Sequence, residues 1–446
     1  MTTCEPGGFE EGQRSGHRRA IIVPVDRIVV APGSPLAGKV LAGGAKNSVL
    51  KLMAACLLAE GTHVLENVPQ ITDVDIMAEV LRSLGCGVER TQDRRLVIET
   101  PAVDAIIPEA PYELVEKMRA SIVVLGPLLA RCGRARVSMP GGDDFGSRPI
   151  DIHLAGMTSM GAVFETTHGY VEGQVTDSTG RLVGAHLVLE YPSHTATDNL
   201  LMAAVLAKGT TVIDNAAREP EVGDLAAMLN EMGAGISGIG TSRLVVEGVE
   251  YLRPVTHRVI ADRVVAATYL LAPALAGGSV TVADGRPEHM TMLLSKIEAM
   301  GMAVSFDADG LTVSSQGRIT AVDLATLPYP GVATDYKPFL VTALSVADGV
   351  SIVSENLFEG RFRYVDELRR MGADIRTEGH HAVVRGVNRL SGAPVRAPDI
   401  RAGAALVLAG LAADGETVIA GVDHIERGYD DLVGTLQSLG ASVTWQ

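Results

Sequence analysis

Arg148, Asp151 and His153 fall within six residues, directly after the run Pro140-Gly141-Gly142-Asp143-Asp144-Phe145-Gly146-Ser147. Three glycines in seven residues allow backbone conformations that side chains forbid, so a pliable segment delivers a guanidinium, a carboxylate and an imidazole together. Such a stretch reads as a loop that closes over a bound molecule. An ordinary turn after the apolar run Val137-Ser138-Met139 is the alternative reading of the loop taken alone.

The molecule that such a loop covers must suit the chain's charge. With 38 basic against 53 acidic residues the net charge is −15, and that field repels nucleic acid and acidic membranes alike. An anionic substrate therefore has to meet a local cluster of Arg and Lys. At 446 residues and 47% hydrophobic the chain is long enough for two or three domains with cores of their own. Cys4, Cys56, Cys86 and Cys132 have no metal-ligand spacing, and buried thiols in a reducing compartment are the economical reading. Residues 1–19 are polar and glycine-rich, without the apolar core of a secretory signal, and are expected to be disordered in a cytoplasmic protein. The longest apolar candidate for a membrane span, Val264 to Ala276, is interrupted by Thr268, Tyr269 and Pro273, so no span is expected.

Two glycine motifs are near misses. Gly33 to Val40 has the spacing of a phosphate-binding loop, but Val40 stands where a magnesium-binding hydroxyl is needed. Gly233 to Gly238 has dinucleotide-type spacing, but it follows a helical pattern and leads into the strand Arg243-Leu244-Val245-Val246, the reverse of that fingerprint. It is a helix-to-strand turn.

The elements that position the loop repeat along the chain. Leu57-Leu58-Ala59-Glu60-Gly61 precedes a strand over Thr62 to Val68, then a polar turn, then a helix ending in Leu84-Gly85. On that helix Ile76, Met77, Val80, Leu81 and Leu84 share one face, and Asp73 and Asp75 sit near its positive end. The order recurs at Gly133, Gly209, Gly278, Gly349 and Gly415, with the later glycines Gly161, Gly233, Gly301, Gly372 and Gly440 closing a second helix each time. Both glycines suit helix C-caps. A period of about 70 residues exceeds the 20–50 of solenoids, so each copy is a small folded unit, and three units per domain give two domains with a cleft between them. The boundary falls around residues 248 to 260, and the early strand from Ile21 to Val30 completes the C-terminal domain.

With these motifs in hand, the chain resembles the enolpyruvyltransferase family over nearly its whole length after Arg19. The residues that carry the resemblance are Gly44-Ala45-Lys46-Asn47, Lys117-Met118-Arg119-Ala120-Ser121, the Pro140 to His153 loop, Ala217-Arg218-Glu219-Pro220-Glu221, Thr334-Asp335, Phe358-Glu359-Gly360-Arg361-Phe362, Asp399-Ile400-Arg401-Ala402 and His424-Ile425-Glu426-Arg427-Gly428-Tyr429. The resemblance implies an α/β (α+β) fold, a two-domain inside-out α/β barrel with three βαβαββ repeats per domain. On that fold residues 45–258 form the N-terminal domain carrying the lid loop 138–150, and residues 20–44 plus 259–446 form the C-terminal domain.

It also implies the chemistry: transfer of the enolpyruvyl group of phosphoenolpyruvate to the 3-hydroxyl of UDP-N-acetylglucosamine, without cofactor or metal. Lys46, Arg119, Arg148, Arg361, Arg401 and Arg427 are then the cations for phosphoenolpyruvate, and guanidinium groups suit its planar anions. Asp335 accepts the sugar hydroxyl proton, although as a residue following Thr334 it also reads as a helix cap. Asn47 contacts the sugar, Arg148, Pro149, Asp151 and His153 fall at nucleotide-side positions, and Thr334 and Leu357 are further substrate-binding residues, with Asp73 and Asp399 as further site carboxylates. The sister branch acting on shikimate 3-phosphate carries a Gly-Ser-Lys-Ser type motif in place of Gly44-Ala45-Lys46-Asn47.

Two positions depart from most of the family. Asp143 stands at the lid position that is usually cysteine, which implies proton handling by a carboxylate and resistance to the epoxide fosfomycin. Ser193-His194-Thr195 replaces Ser-Val-Gly at the diphosphate, where His194 adds a donor and Thr195 limits backbone approach. The second departure keeps two other readings open: transfer to another uridine nucleotide such as uridine monophosphate, and a noncatalytic nucleotide-binding regulator.

Overall fold

The computed structural model describes residues 1, 26–116, 118–139, 150–358 and 360–446, without the side chain of Arg119. The expected N-terminal extension and the lid residues Pro140 to Pro149, with Asp143, Arg148 and Pro149 among them, lie outside the described residues.

Six four-stranded sheets share one plan: a parallel edge strand, a central strand, and two further strands antiparallel in turn. In the third unit, for example, His186–Val188 runs parallel to Thr210–Asp214, which pairs antiparallel with Arg243–Glu247, and Gly235–Ser237 closes the sheet. Here the dinucleotide-like glycines form the turn between the helix Pro220–Glu231 and these strands. Likewise Leu36–Val40, the near-miss phosphate loop, is a strand. The twelve glycines at the unit punctuation points all have positive φ, from 68° at Gly133 to 118° at Gly61, so the repeat read from the sequence is a repeat of backbone need. The first strand ends at Glu66 rather than Val68, because Asn67 takes φ 59° and turns the chain.

Two hydrophobic cores follow. One gathers residues from Ala45 to Val259, and the other joins Ile28, Val30, Leu36 and Val40 to residues from Val264 to Val443. Strands are exchanged between the halves. Leu36–Val40 precedes the helix Lys46–Ala55 of the first core, yet pairs with Gly278–Val282 in the second. Thr256–Arg258 precedes the helix Arg263–Leu271 of the second core, yet pairs with Gly61–Glu66 in the first. Ile28–Val30 fills the last sheet, between Thr417–Ala420 and Val443–Trp445.

The sheets lie outside and the helices inside. Lys46–Ala55, His194–Ala204, Arg263–Leu271, Lys337–Leu344 and Ile400–Leu411 are buried along almost their whole length. A helix that is apolar on every face has nowhere to go but the middle of a domain. No described helix is long and apolar enough to cross a membrane.

Candidate active site

The buried helices begin at one place. Lys46, Asn47, Ser193, His194, Thr195, Arg263, Thr334, Asp335, Ile400 and Arg401, all at or just before helix starts, line a single cavity of about 660 Å³ between the two halves. Helix N-termini present unpaired backbone N–H groups and a partial positive charge, so this cavity suits anions before any side chain is counted. Gly44 makes the approach possible. A Cβ there would stand 1.8 Å from the Asn67 carbonyl oxygen. Asp262 ties the two crossings together: its side chain caps Arg263–Leu271 through the Val264 and Val265 amides at 2.7 and 3.0 Å, and accepts the Lys46 amide at 3.0 Å.

Asp73 joins the halves within the cavity. Its carboxylate lies 2.8 Å from Lys46 Nζ and 2.9 Å from Arg427 Nε, one cation from each half. Burial raises the Asp73 carboxyl, but Lys46 and Arg427 overcome this and hold it below its ordinary value. Burial lowers Lys46, with Arg401 and Arg427 pushing the same way and Asp73 opposing them, so its ammonium gives up a proton more readily than a free lysine.

Opposite lies a second ion cluster. Arg361 Nη2 is 2.6 Å from Asp335 Oδ1, and Arg401 Nε is 3.5 Å from Asp335 Oδ2. Burial would lift the Asp335 carboxyl, yet the two guanidinium groups win and hold it far below the usual carboxylate range. Asp335 is thus ionised. It is not a helix cap, since the helix Lys337–Leu344 has Tyr336 at that position. Asp399 is one: it accepts the Arg401 and Ala402 amides at 2.9 Å, fixing the start of Ile400–Leu411 and so the placement of Arg401.

Behind Asp335 stands a buried pair that the sequence reading missed. Lys337 Nζ is 2.7 Å from Glu355 Oε2, both side chains 1% exposed. Glu355 also accepts from Thr334 Oγ1 at 2.7 Å, Thr326 Oγ1 at 2.8 Å, and the Leu357 and Phe358 amides at 2.9 and 3.3 Å. Thr334 Oγ1 in turn accepts Arg361 Nη1 at 3.0 Å, and Lys337 Nζ donates to the Arg361 carbonyl at 2.7 Å. One carboxylate therefore sets Thr334, Leu357 and Arg361. Lys51 and Arg263 were missed as well, although Lys51 is a lone charge between Leu50 and Leu52, which is itself a sign of a buried partner.

On the N-terminal side His153 is buried, and its Nδ1 accepts Asn199 Nδ2 at 3.0 Å, which leaves the ring proton on Nε2. Ser193 Oγ caps its helix by accepting the Ala196 amide at 3.3 Å. All the expected site residues with described side chains line this one cavity, Asp73, Asp151, Leu357, Asp399 and Arg427 included.

Comparison with known proteins shows the family. The family described as EPSP synthase (3-phosphoshikimate 1-carboxyvinyltransferase) matches residues 30–436. The chain belongs to this enolpyruvyltransferase family. A relative in Nocardia farcinica, called UDP-N-acetylglucosamine 1-carboxyvinyltransferase, is 54% identical over 423 residues, covering 94% of this chain and 98% of its own. A relative of the same name in Myxococcus xanthus is 48% identical over 419 residues, covering 94% and 99%. Among solved structures, the enolpyruvyl transferase NikO from Streptomyces tendae superposes with a TM-score of 0.84 at 26% identity, covering 95% of this chain and 99% of that one. An EPSP synthase from Acinetobacter baumannii shares the fold, with a TM-score of 0.72 at 19% identity and coverage of 94% and 100%. The enolpyruvyltransferase fold is the two-domain inside-out barrel described above.

Proposed function

We propose that this enolpyruvyltransferase moves the enolpyruvyl group of phosphoenolpyruvate to the 3-hydroxyl of UDP-N-acetylglucosamine, the first committed step of peptidoglycan precursor synthesis. The observation that carries the reading is the cavity itself: cations from both halves and an ionised Asp335 face one space, in a chain 54% identical to a relative of that name.

In this reading Lys46, Arg119, Arg148, Arg361, Arg401 and Arg427 hold the phosphate and carboxylate of phosphoenolpyruvate. The sugar oxygen adds to C2 while C3 takes a proton, giving a tetrahedral ketal. Loss of the C3 proton and of phosphate then leaves the enol ether. Asp335 takes the hydroxyl proton. In the empty site it is too weak a base, because Arg361 and Arg401 stabilise its charge. Phosphoenolpyruvate brings its own negative charge to those guanidinium groups, and the carboxylate becomes more basic when the second substrate is in place. Asp143, on the lid, is the proposed proton donor at C3. Asn47, Arg148, Pro149, Asp151, His153, Ser193, His194, Thr195 and Leu357 receive the acceptor.

Ser193-His194-Thr195 favours a second reading, transfer to another uridine nucleotide such as uridine monophosphate. A phosphate-release assay with phosphoenolpyruvate and a panel of uridine nucleotides and shikimate 3-phosphate separates them. Release that depends on UDP-N-acetylglucosamine is expected. Release with uridine monophosphate or shikimate 3-phosphate and none with UDP-N-acetylglucosamine would overturn the first reading.

A further inference from the structure

Lys51 and Asp198 have no part in the chemistry above, yet they back a wall of the same cavity. Lys51 and His194 line it, and Asp198 lies beneath them, 1% exposed. His194 Nε2 faces Asp198 Oδ2 at 3.4 Å, and Lys51 Nζ stands 3.7 Å from the same oxygen while donating to the Asn47 carbonyl. Neither Asp198 oxygen nor His194 Nε2 has a hydrogen-bond partner among the described residues. A carboxyl group and an imidazole buried this close titrate as a pair, and which of them carries the proton depends on what else faces them.

Resting on the transfer reading above, we infer that Asp198, flanked by Lys51, is a positioning residue that makes His194 a proton-coupled recognition group for the phosphate of the nucleotide acceptor. In the empty site Asp198 carries the proton and His194 is neutral. When a phosphate comes against the ring, the Asp198 O–H bond breaks as the His194 Nε2–H bond forms. An imidazolium then faces the phosphate, and a carboxylate rests beside Lys51. The electrostatics agree with this assignment. Burial, then Lys51, pull the imidazole down to about 3, and burial pushes Asp198 up to about 7 against the pull of Lys51. The other charged groups facing the pair are Glu219 and Glu221 at the start of the helix Pro220–Glu231, Arg263 at the start of Arg263–Leu271, and Asp335.

The phosphate in question is the acceptor's. His194 stands between Ser193 and Thr195, which receive the acceptor in that reading, whereas Arg361 and Arg401 gather in the other half. Above about pH 7 the proton has to come from solvent, so acceptor binding weakens by about tenfold per pH unit.

Initial rates test this with UDP-N-acetylglucosamine varied at saturating phosphoenolpyruvate, and the reverse, from about pH 6.5 to 8.5. A nucleoside diphosphate sugar has no group that titrates strongly in that window. The acceptor KM should climb with pH while the phosphoenolpyruvate KM does not follow it. Asp198→Asn should flatten the acceptor profile. Lys51→Met, which removes the cation that lowers Asp198, should move the break to higher pH, and it carries the test if the first variant does not fold. A flat acceptor profile in the unmutated enzyme, or the same slope and break in all folded proteins, overturns the inference while leaving the transfer reading intact. A slope confined to phosphoenolpyruvate assigns the pair to the wrong substrate and also overturns it. No turnover with UDP-N-acetylglucosamine at any pH overturns the transfer reading, and the inference with it.

Discussion

Glu355→Gln isolates the buried pair that sets Thr334, Leu357 and Arg361. The change keeps the shape and removes the charge, so Lys337, 1% exposed, loses its counter-ion and keeps the Arg361 carbonyl. Stranding one partner of a buried ion pair costs about 3–5 kcal/mol. The lower end is expected here, because Lys337 can shed its proton: burial already lowers it to about 8 even with Glu355 raising it, and without Glu355 it falls further. That escape gives a pH signature. A lysine whose folded pKa is depressed binds fewer protons folded than unfolded, so stability rises with pH between the folded value and 10.5. In the variant this window opens below about 8, so its deficit should shrink as pH rises toward about 8 and level off above, where the unmutated protein gains stability with the same slope.

The single tryptophan of the chain, Trp445, lies in the last sheet of the same half, so its fluorescence during urea unfolding reports on the domain that holds the pair. Adding Lys337→Met should recover at least half of the loss, since removing both charges leaves nothing stranded. The variant should also lose turnover more than tenfold, because Arg361 is held partly through Thr334 and Lys337. A stability loss under about 1 kcal/mol, typical of an exposed pair, would refute the reasoning.

Arg427→Ala should raise the KM for phosphoenolpyruvate roughly 10- to 150-fold, the equivalent of one charge-assisted contact of about 1.5–3 kcal/mol, with the thermal midpoint little changed; an unchanged KM would remove it from the anion site. His257 lies between Asp224 and Glu231, at 2.8 Å from each, and although burial lowers its pKa these carboxylates raise it above 6.5. Its contribution to stability is full below the unfolded value of 6.5 and is lost as pH rises through the higher folded value, so the gap in thermal midpoint between the unmutated protein and His257→Gln should narrow toward alkaline pH. A gap that is constant or widens would contradict this. Asp143→Cys should be alkylated by fosfomycin and remain active, whereas the unmutated enzyme should resist, because a thiolate opens an epoxide far faster than a carboxylate does. Inactivation of the unmutated protein through Cys56, Cys86 or Cys132 would count against it.

The sixfold unit was legible because each copy must turn its chain with positive φ at fixed points, and only glycine does so cheaply; one residue type therefore records the backbone. The candidate site was legible through its motifs, whose cations stand out in a chain of net charge −15. The exchange of strands was less so. Thr256–Arg258 is three residues without apolar alternation, and its place beside Gly61–Glu66 is set by partners far away in sequence. The surroundings of Asp335 and Asp399 were likewise not legible: the two carboxylates stand alike before helices, yet Arg361 and Arg401 clasp Asp335, while Asp399 caps Ile400–Leu411 and also bears on Arg361. What pattern could not supply was the polar scaffold. Lys51, Asp198, Lys337 and Glu355 look like scattered charges along the chain, but inside a domain built from buried helices no charge can stand alone. Each therefore implies a partner, and because these inner helices start at one cavity, the partners gather around it.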